Sequence, residues 1–347
     1  MKAEDRETST KTLDSHSVLR RYPAEWQDQH TVWLAWPHNE KEWGENRLPK
    51  IRKFYEKLIS VILNFQDVNL IFPNEESLTE AEAIHELPLE KEHKLKKIII
   101  PNNDVWIRDY GPFFLSGQQI IGFNFNGWGG KYPPWDLDNQ VPKEIATYLG
   151  EEIESYPMVL EGGAIESSGD GILMTTEECV FNKDRNKDLS KEKIELVLKS
   201  AFNIKEIIYL KHGLYGDHTD GHIDNVARFI GPKKVLACRS YNIKDVNFER
   251  LLENENKLKE HGLEVIQLPM PEVETCRGKS LQAASYNNFI FVNGGIIVPT
   301  FNCKTDELAL KIFSVLFPEK EVIGIDCSVL IQEGGGLHCI TKQEPKI

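Results

Sequence analysis

Apolar and polar positions along the chain follow two alternating rhythms. Between 49 and 65, Ile51, Phe54, Tyr55, Leu58, Ile59 and Ile62 recur at spacings of three and four, which predicts a helix with one buried face. Val32 to Ala35 before it and Val68 to Phe72 after it are short apolar runs that read as strands, the second ended by Pro73 and Asn74. The exchange continues with a helix over 75–87 behind Asn74 as N-cap, a strand at Lys97 to Pro101, an Asn102–Asn103 turn and a strand at Ile120 to Phe125. Ile194, Val197, Leu198, Ala201 and Phe202 mark another helix. Glu206 to Leu210 and Lys234 to Cys238 read as strands, and Phe248, Leu251, Leu252 and Leu258 as a helix stopped near Gly262. Phe289 to Val298 holds two short strands around Gly294–Gly295. Thr305 caps a helix carrying Leu308, Ile312, Val315 and Leu316 that stops at Pro318, and Val322 to Ile325 is the last clear strand.

Strand and helix therefore alternate throughout, which is an α/β pattern. No charge run or Pro/Ser-rich linker divides it, so residues 21–347 are expected to form one domain behind a polar tail at 1–20. Gly-Gly pairs at 129, 162, 294 and 334 are read as marks of equivalent turns in a repeated module. The dense Trp and Pro content of 21–37 (Trp26, Trp33, Trp36) fits either the core or a homodimer surface.

Composition narrows the function. Of 347 residues 40% are apolar, enough for a large core. The apolar runs are too short to span a bilayer, and the first 20 residues hold no signal-peptide h-region, so a cytoplasmic protein is expected. The six cysteines, at 179, 238, 276, 303, 327 and 339, show no CxxC spacing and are expected to be reduced thiols. A net charge of −13 argues against nucleic acid or an anionic membrane as partner and is compatible with a cationic substrate.

Four segments carry candidate chemistry: Asn103 to Pro112, Glu161 to Glu166, His218 to Asn225, and Gly334 to Thr341. Cys339 follows three glycines, which let backbone and ligand approach closely, so it is a candidate nucleophile; the plain alternative is an inert core thiol. His222 and Asp224 stand two apart, which in extended backbone turns both to one side, as a carboxylate-held acid or base would require. Glu161, before Gly162–Gly163, is either a cation anchor or a turn residue facing water. Arg108 with Asp109 can be a local ion pair, and Trp106 can be core. A metal held by His218, His222 and neighbouring Asp residues is disfavoured: Gly221 and Thr219–Asp220 break the helix that would put both histidines on one face.

Taken in order, these segments resemble the agmatine deiminase family of the guanidine-modifying superfamily. The resemblance runs from Tyr22-Pro23-Ala24-Glu25-Trp26 and Thr31 to Asn39, through Arg108 to Pro112, Glu161-Gly162-Gly163, Leu173 to Cys179 and Gly221-His222-Ile223-Asp224-Asn225, to His338-Cys339-Ile340-Thr341. The chain departs from the family pattern at His218, at Glu333 to Leu337 and at Lys342 to Pro345. The resemblance implies a single-domain, five-bladed, pseudo-symmetric α/β propeller of ββαβ modules (pentein-like), with no metal and no organic cofactor. It implies hydrolysis of agmatine to N-carbamoylputrescine and ammonia, in putrescine synthesis. It assigns Cys339 as nucleophile, His222 as acid and base, and Glu161 and Asp224 as guanidinium anchors. Trp106, Asp109 and Asp220 become substrate-pocket residues.

Paired carboxylates suit a guanidinium because they match its forked N–H donors, and a thiolate is the available nucleophile at neutral pH. Two other readings stay open. A deiminase of peptidyl-arginine or another arginine derivative would use the same mechanism with a partner for the substrate carboxylate, for which Arg228 and Arg239 are candidates. A binder of cationic amines would use none of the chemistry.

Overall fold

The computed structural model describes residues 20–84, 94–272 and 284–346. The expected tail, apart from Arg20, lies outside these residues, as do 85–87 of the expected second helix and Cys276.

Sixteen strands among the described residues form five sheets with one wiring. The first holds β1 (Gln29–Ala35), helix α1 (Leu48–Ile62) and β2 (Asp67–Phe72), followed by α2 (Glu75–Ile84) and β3 (Leu95–Ile99). The second holds β4 (Phe113–Leu115), β5 (Gln119–Asn124), α3 (Val141–Leu149) and β6 (Ile153–Val159). The third holds β7 (Ile165–Ser167), β8 (Ile172–Thr176), α4 (Lys191–Phe202) and β9 (Glu206–Leu210). The fourth holds β10 (Ala227–Gly231), β11 (Lys234–Arg239), α5 (Phe248–Glu260) and β12 (Glu264–Pro269). The fifth holds β13 (Ile290–Val292), β14 (Gly295–Thr300), α6 (Asp306–Leu316) and β15 (Glu321–Asp326).

In each of sheets two to five the first two strands pair antiparallel, and the helix carries the chain over to a third strand parallel to the second. A parallel return needs such a crossover. The first sheet lacks its opening strand until the end of the chain, where β16 (Lys342–Pro345) pairs antiparallel with β1, Trp33 opposite Lys342. The last strand thus completes the first ββαβ module, and the five modules form an α/β propeller. Neighbouring modules touch through their opening strands, β16 against β4 and β7 against β10.

Local sequence explains most of the elements. Ile51, Phe54, Tyr55, Leu58, Ile59 and Ile62 of α1 are all buried, each worth about 1.5–3 kcal/mol of removal from water. Asn74 caps α2 by accepting the Ser77 N–H at 2.8 Å. Trp33 and Trp36 are wholly buried, so the core takes the aromatic side chains that fitted a dimer surface equally well.

Three expectations need correction. On α6 the buried side chains are Ala309 and Phe313, while Leu308 and Val315 face solvent. Its polar side chains, Asp306, Glu307, Lys311 and Ser314, share one face, and Leu308 and Val315 lie at the outer edge of the apolar stripe. Thr305 precedes it without capping it; its hydroxyl accepts the Glu272 N–H and bonds Tyr286 instead. The Gly-Gly pairs are not equivalent: 162 opens an axial strand, 294 turns the β13–β14 hairpin, and 129 and 334 sit in unrelated loops.

Candidate active site

Every opening strand is entered by a tight turn, and each turn delivers a residue to one place on the axis. Asp109 comes from Ile107–Tyr110 before β4. Glu161 and Gly163 come from the turn before β7, and His222 and Asp224 from the turn before β10. Asn288 precedes β13, and Cys339 lies in His338–Ile340 before β16. Residues as distant in sequence as 109 and 339 meet because the modules bring equivalent turns together.

Cys339 Sγ lies 4.0 Å from Asp224 Oδ2 and 3.5 Å from Asn288 Nδ2, and the Gly336 N–H points at it from 3.4 Å. Asp109 accepts hydrogen bonds from the Gly163 N–H and from Trp128 Nε1, both 2.9 Å, and its Oδ1 stands 3.7 Å from His222 Nδ1. Gly163 shows how tightly these groups converge. A Cβ there would stand 2.6 Å from His222 Nδ1 and 2.9 Å from both Asp109 Oδ1 and Asp224 Oδ2, so only glycine leaves all three in place. Gly335 is needed in the same way, because a Cβ would run into the Trp106 ring.

All four reactive groups are buried, and burial dominates their ionisation. Burial, then the nearby Glu161 carboxylate, pushes Asp109 up to about 7 against the hydrogen bonds from Trp128 and Gly163. Burial, then Asp109, pushes Asp224 well above the carboxylate range. Burial, then Arg185 and Lys131, holds His222 well below its usual value, and neither of its ring nitrogens has a hydrogen-bond partner. Burial, then Asp224 and Asp109, raises the Cys339 thiol. Among the described residues no Lys or Arg forms a salt bridge with Asp109 or Asp224, and Asp224 Oδ1 has no hydrogen-bond partner. The arrangement is a cation site: a guanidinium between the two carboxylates would relieve their repulsion and lower the thiol together.

A pocket leads to this point. Trp43, Trp106, Phe125, Trp128 and Tyr132 form its apolar walls, with Asp109 and Cys339 at its floor. Glu42, Asp104, Asp138, His218 and Glu333 also line it, and its lining contains no Lys or Arg. Trp106 is fixed by a 2.9 Å bond from Nε1 to Asp104 Oδ2 and by stacking on Trp43.

The structure redistributes several expected roles. Glu161 is buried but already holds a guanidinium, that of Arg185, whose Nε lies 2.8 and 3.0 Å from its two oxygens. Asp220 binds Arg185 Nη1 at 2.7 Å and Lys131 Nζ at 2.5 Å and is not part of the pocket lining. Asp109, expected beside Trp106 as a pocket residue, lines the pocket, with Oδ1 3.7 Å from His222 Nδ1. His222 and Asp224 share the site through a 3-10 turn rather than an extended segment, and the hydrogen-bond partner of Asp224 is His338. Arg228 and Arg239 are both committed elsewhere, Arg228 to Glu25 and Glu166 and Arg239 over the Phe248 ring.

His218 and His222 diverge. His218 stacks on Tyr132 at the pocket, while His222 groups with Glu161 and Cys179, whose ligand atoms lie within 4.8 Å of one another. Arg185 on Glu161 opposes a metal ion there.

Sequence reasoning missed Asn288, Arg185 and Trp128. Asn288 had one readable signal: it directly precedes an axial strand, as each of the other site turns does.

A ring of five ββαβ modules, with a thiol, an imidazole and uncompensated carboxylates at its axis, defines a guanidine-modifying enzyme. The chain belongs to the Porphyromonas-type peptidyl-arginine deiminase family, whose model matches residues 21–345. Among its relatives, the agmatine deiminase of Pseudomonas syringae pv. tomato is 35% identical over 93% of this chain and 95% of its own length. That of Stutzerimonas stutzeri is 33% identical over 97% and 98%. Among solved structures, the C. jejuni agmatine deiminase with substrate bound superposes with a TM-score of 0.86 at 31% identity, covering 97% of this chain and 99% of that one.

Proposed function

We propose that the protein hydrolyses agmatine to N-carbamoylputrescine and ammonia, supplying putrescine synthesis in the cytoplasm. We further propose that residues 21–347 act as one catalytic unit, with no metal or organic cofactor, on a small cation rather than on nucleic acid or a membrane. The observation that carries the choice of substrate is the pocket's lining, acidic and aromatic with no Lys or Arg. An arginine carboxylate would find no Lys or Arg in the lining and would face Glu42, Asp104, Asp138 and Glu333, a set that suits the ammonium tail of agmatine although Glu333 also pairs with Arg47.

The reaction follows from the geometry. Asp109 and Asp224 take the guanidinium between them, and Trp106 packs on the chain behind it. The cation lowers the Cys339 thiol, whose proton passes to His222, and the thiolate adds to the guanidinium carbon. His222 returns that proton to an amino group of the tetrahedral adduct. The C–N bond breaks, ammonia leaves, and a thiouronium cation remains on Cys339. His222 then takes a proton from water as the oxygen attacks. The second adduct expels the Cys339 thiolate, which is reprotonated; the ureido product leaves, and the surplus proton goes to ammonia. Glu161 acts beside this path by holding Arg185, which adds to burial in keeping His222 neutral and able to accept a proton.

The test is ammonia release from agmatine, free arginine and an N-acyl arginine amide, side by side. Release from agmatine alone supports the reading. Release only from the amide moves the substrate to peptidyl arginine, and release from none moves the protein to another guanidine or to a binding role.

A further inference from the structure

Directly beneath the site lies a chain of charged groups, starting at His338, that the reaction above does not use. The His338 ring is buried, with Nδ1 2.8 Å from Asp224 Oδ2 and Nε2 2.7 Å from Glu25 Oε2. Glu25 in turn lies 2.8 Å from Arg228 Nη2 and 3.7 Å from Arg108 Nη2, and Arg228 continues to Glu166 at 2.9 Å. Backbone bonds fix the imidazole as well: Asn288 Oδ1 accepts the His338 N–H at 2.7 Å, and Arg108 Nε donates to the His338 carbonyl at 3.2 Å.

Two short contacts between an imidazole and two carboxylates require two shared protons. That number can be met in three ways with the same net charge. His338 is neutral, donating Nε2–H to Glu25 and accepting from a protonated Asp224; or it is neutral with the tautomer reversed, donating Nδ1–H to Asp224 and accepting from a protonated Glu25; or it is an imidazolium between two carboxylates. The surroundings select the first while the site is empty. Arg228, with Arg108, keeps Glu25 ionised and opposes a second positive charge on the ring, while Asp224 faces Asp109 without a cation. A guanidinium between Asp109 and Asp224 reverses the balance, because it makes the Asp224 carboxylate the better place for negative charge.

We propose that His338 is a positioning residue that receives the Asp224 proton when a guanidinium enters. The carboxylate then ionises inside a closed site without releasing that proton to solvent. The O–H bond of Asp224 breaks, the Nδ1–H bond of His338 forms, Nε2–H stays on Glu25, and no other group changes. Each group facing the ring has a part: Asp224 gives the proton, Glu25 stabilises the imidazolium, Arg108 and Arg228 hold it neutral beforehand, and Asn288 fixes its place. The inference rests on the proposed guanidinium binding between Asp109 and Asp224, though not on agmatine as the substrate.

The test uses the Cys339→Ala protein carrying 15N-histidine, titrated with agmatine and, separately, with millimolar guanidinium chloride, each read by NMR. The His338 signal is assigned by its loss in a second protein that also carries His338→Gln. The expected result is a neutral imidazole in the empty protein and an imidazolium in both complexes. A ring that stays neutral, or is charged before ligand enters, overturns the proposal, as does a signal that neither ligand moves. If the unmutated protein releases ammonia from agmatine while His338 never protonates, this inference fails and the agmatine reading stands. If it releases none but guanidinium chloride protonates His338, the inference stands and the agmatine reading fails. Kinetics of His338→Gln alone provide an independent check. Asp224 must then lose its proton to solvent as Asp109 does, so the acid limb of kcat/KM should steepen from about tenfold toward about a hundredfold per pH unit. A merely structural loss would lower kcat/KM by the same factor at every pH.

Discussion

Two regions of the propeller axis contain buried carboxylates, and they treat them in opposite ways. On the inner side, Glu25 and Glu166 share the guanidinium of Arg228, and Glu161 holds that of Arg185. Burial pushes both Glu25 and Glu166 up; at Glu25 the charges of Arg228, His338 and Arg108 outweigh it and hold the group well below the carboxylate range, while Glu166, beside the Glu25 charge, is pushed up to about 7 despite Arg228. On the pocket side, Asp109 and Asp224 have no such cation among the described residues, and both are pushed up. The protein therefore supplies guanidinium to one set of acids and leaves the other set for substrate to satisfy. A buried charge without its partner is costly, and at the pocket that cost becomes the driving force for binding.

The largest effect should come from the one group with no counterpart on the inner side. Cys339→Ala should lower kcat at least about 10⁴-fold while leaving the melting transition in place. Appreciable residual ammonia release would remove the thiol from the mechanism.

The two regions should next diverge in stability. Arg228→Met strands Glu25 and Glu166 and should cost about 3–5 kcal/mol in denaturant unfolding. Asp109→Asn should add about 1 kcal/mol to the unliganded protein while nearly abolishing turnover. If both variants destabilise alike, the contrast between the regions is wrong.

Acidity sharpens the same contrast. Asp109, raised to about 7, must be ionised to hold a cation, so kcat/KM for agmatine should climb about tenfold per pH unit up to that value and then level. The sign for stability is opposite. The folded pKa lies above the unfolded value of about 3.9, so the empty native state carries a proton that the unfolded chain has lost. Its stability should fall as pH rises from about 4 to about 7, and Asp109→Asn should flatten that slope in thermal melts.

The smallest effect belongs to the pocket rim. Glu42→Gln removes one exposed charge from the lining and should raise KM for agmatine by a few-fold with kcat unchanged. A fall in kcat instead would place Glu42 nearer the reacting centre than the pocket rim.

Much of the site was legible in the chain because chemistry and backbone demands coincide there. Cys339, His222 and Asp224 stand within glycine-bearing turns, and Gly163 is required by three side chains converging on its Cα. The long helices were legible too, since α1 and α4 each present one apolar face. Three-residue strands such as β4 and β7 are too short to show a period. Helix α3 is bounded by Pro142 at its start and Gly150 at its end, the residues that favour those two positions.

The sequence by itself determined the α/β alternation, the turns and the reactive residue types, because propensity, period and glycine placement are local properties. Tertiary structure decided which acids face which cations. Glu161 and Asp109 look equally available along the chain, yet Arg185 reaches only the first. Asp224 looked paired with His222 two residues away, and its hydrogen-bond partner proved to be His338, 114 residues on. Ionisation follows burial and the charges within a few ångströms, and those neighbours exist only once β16 has closed the ring on β1.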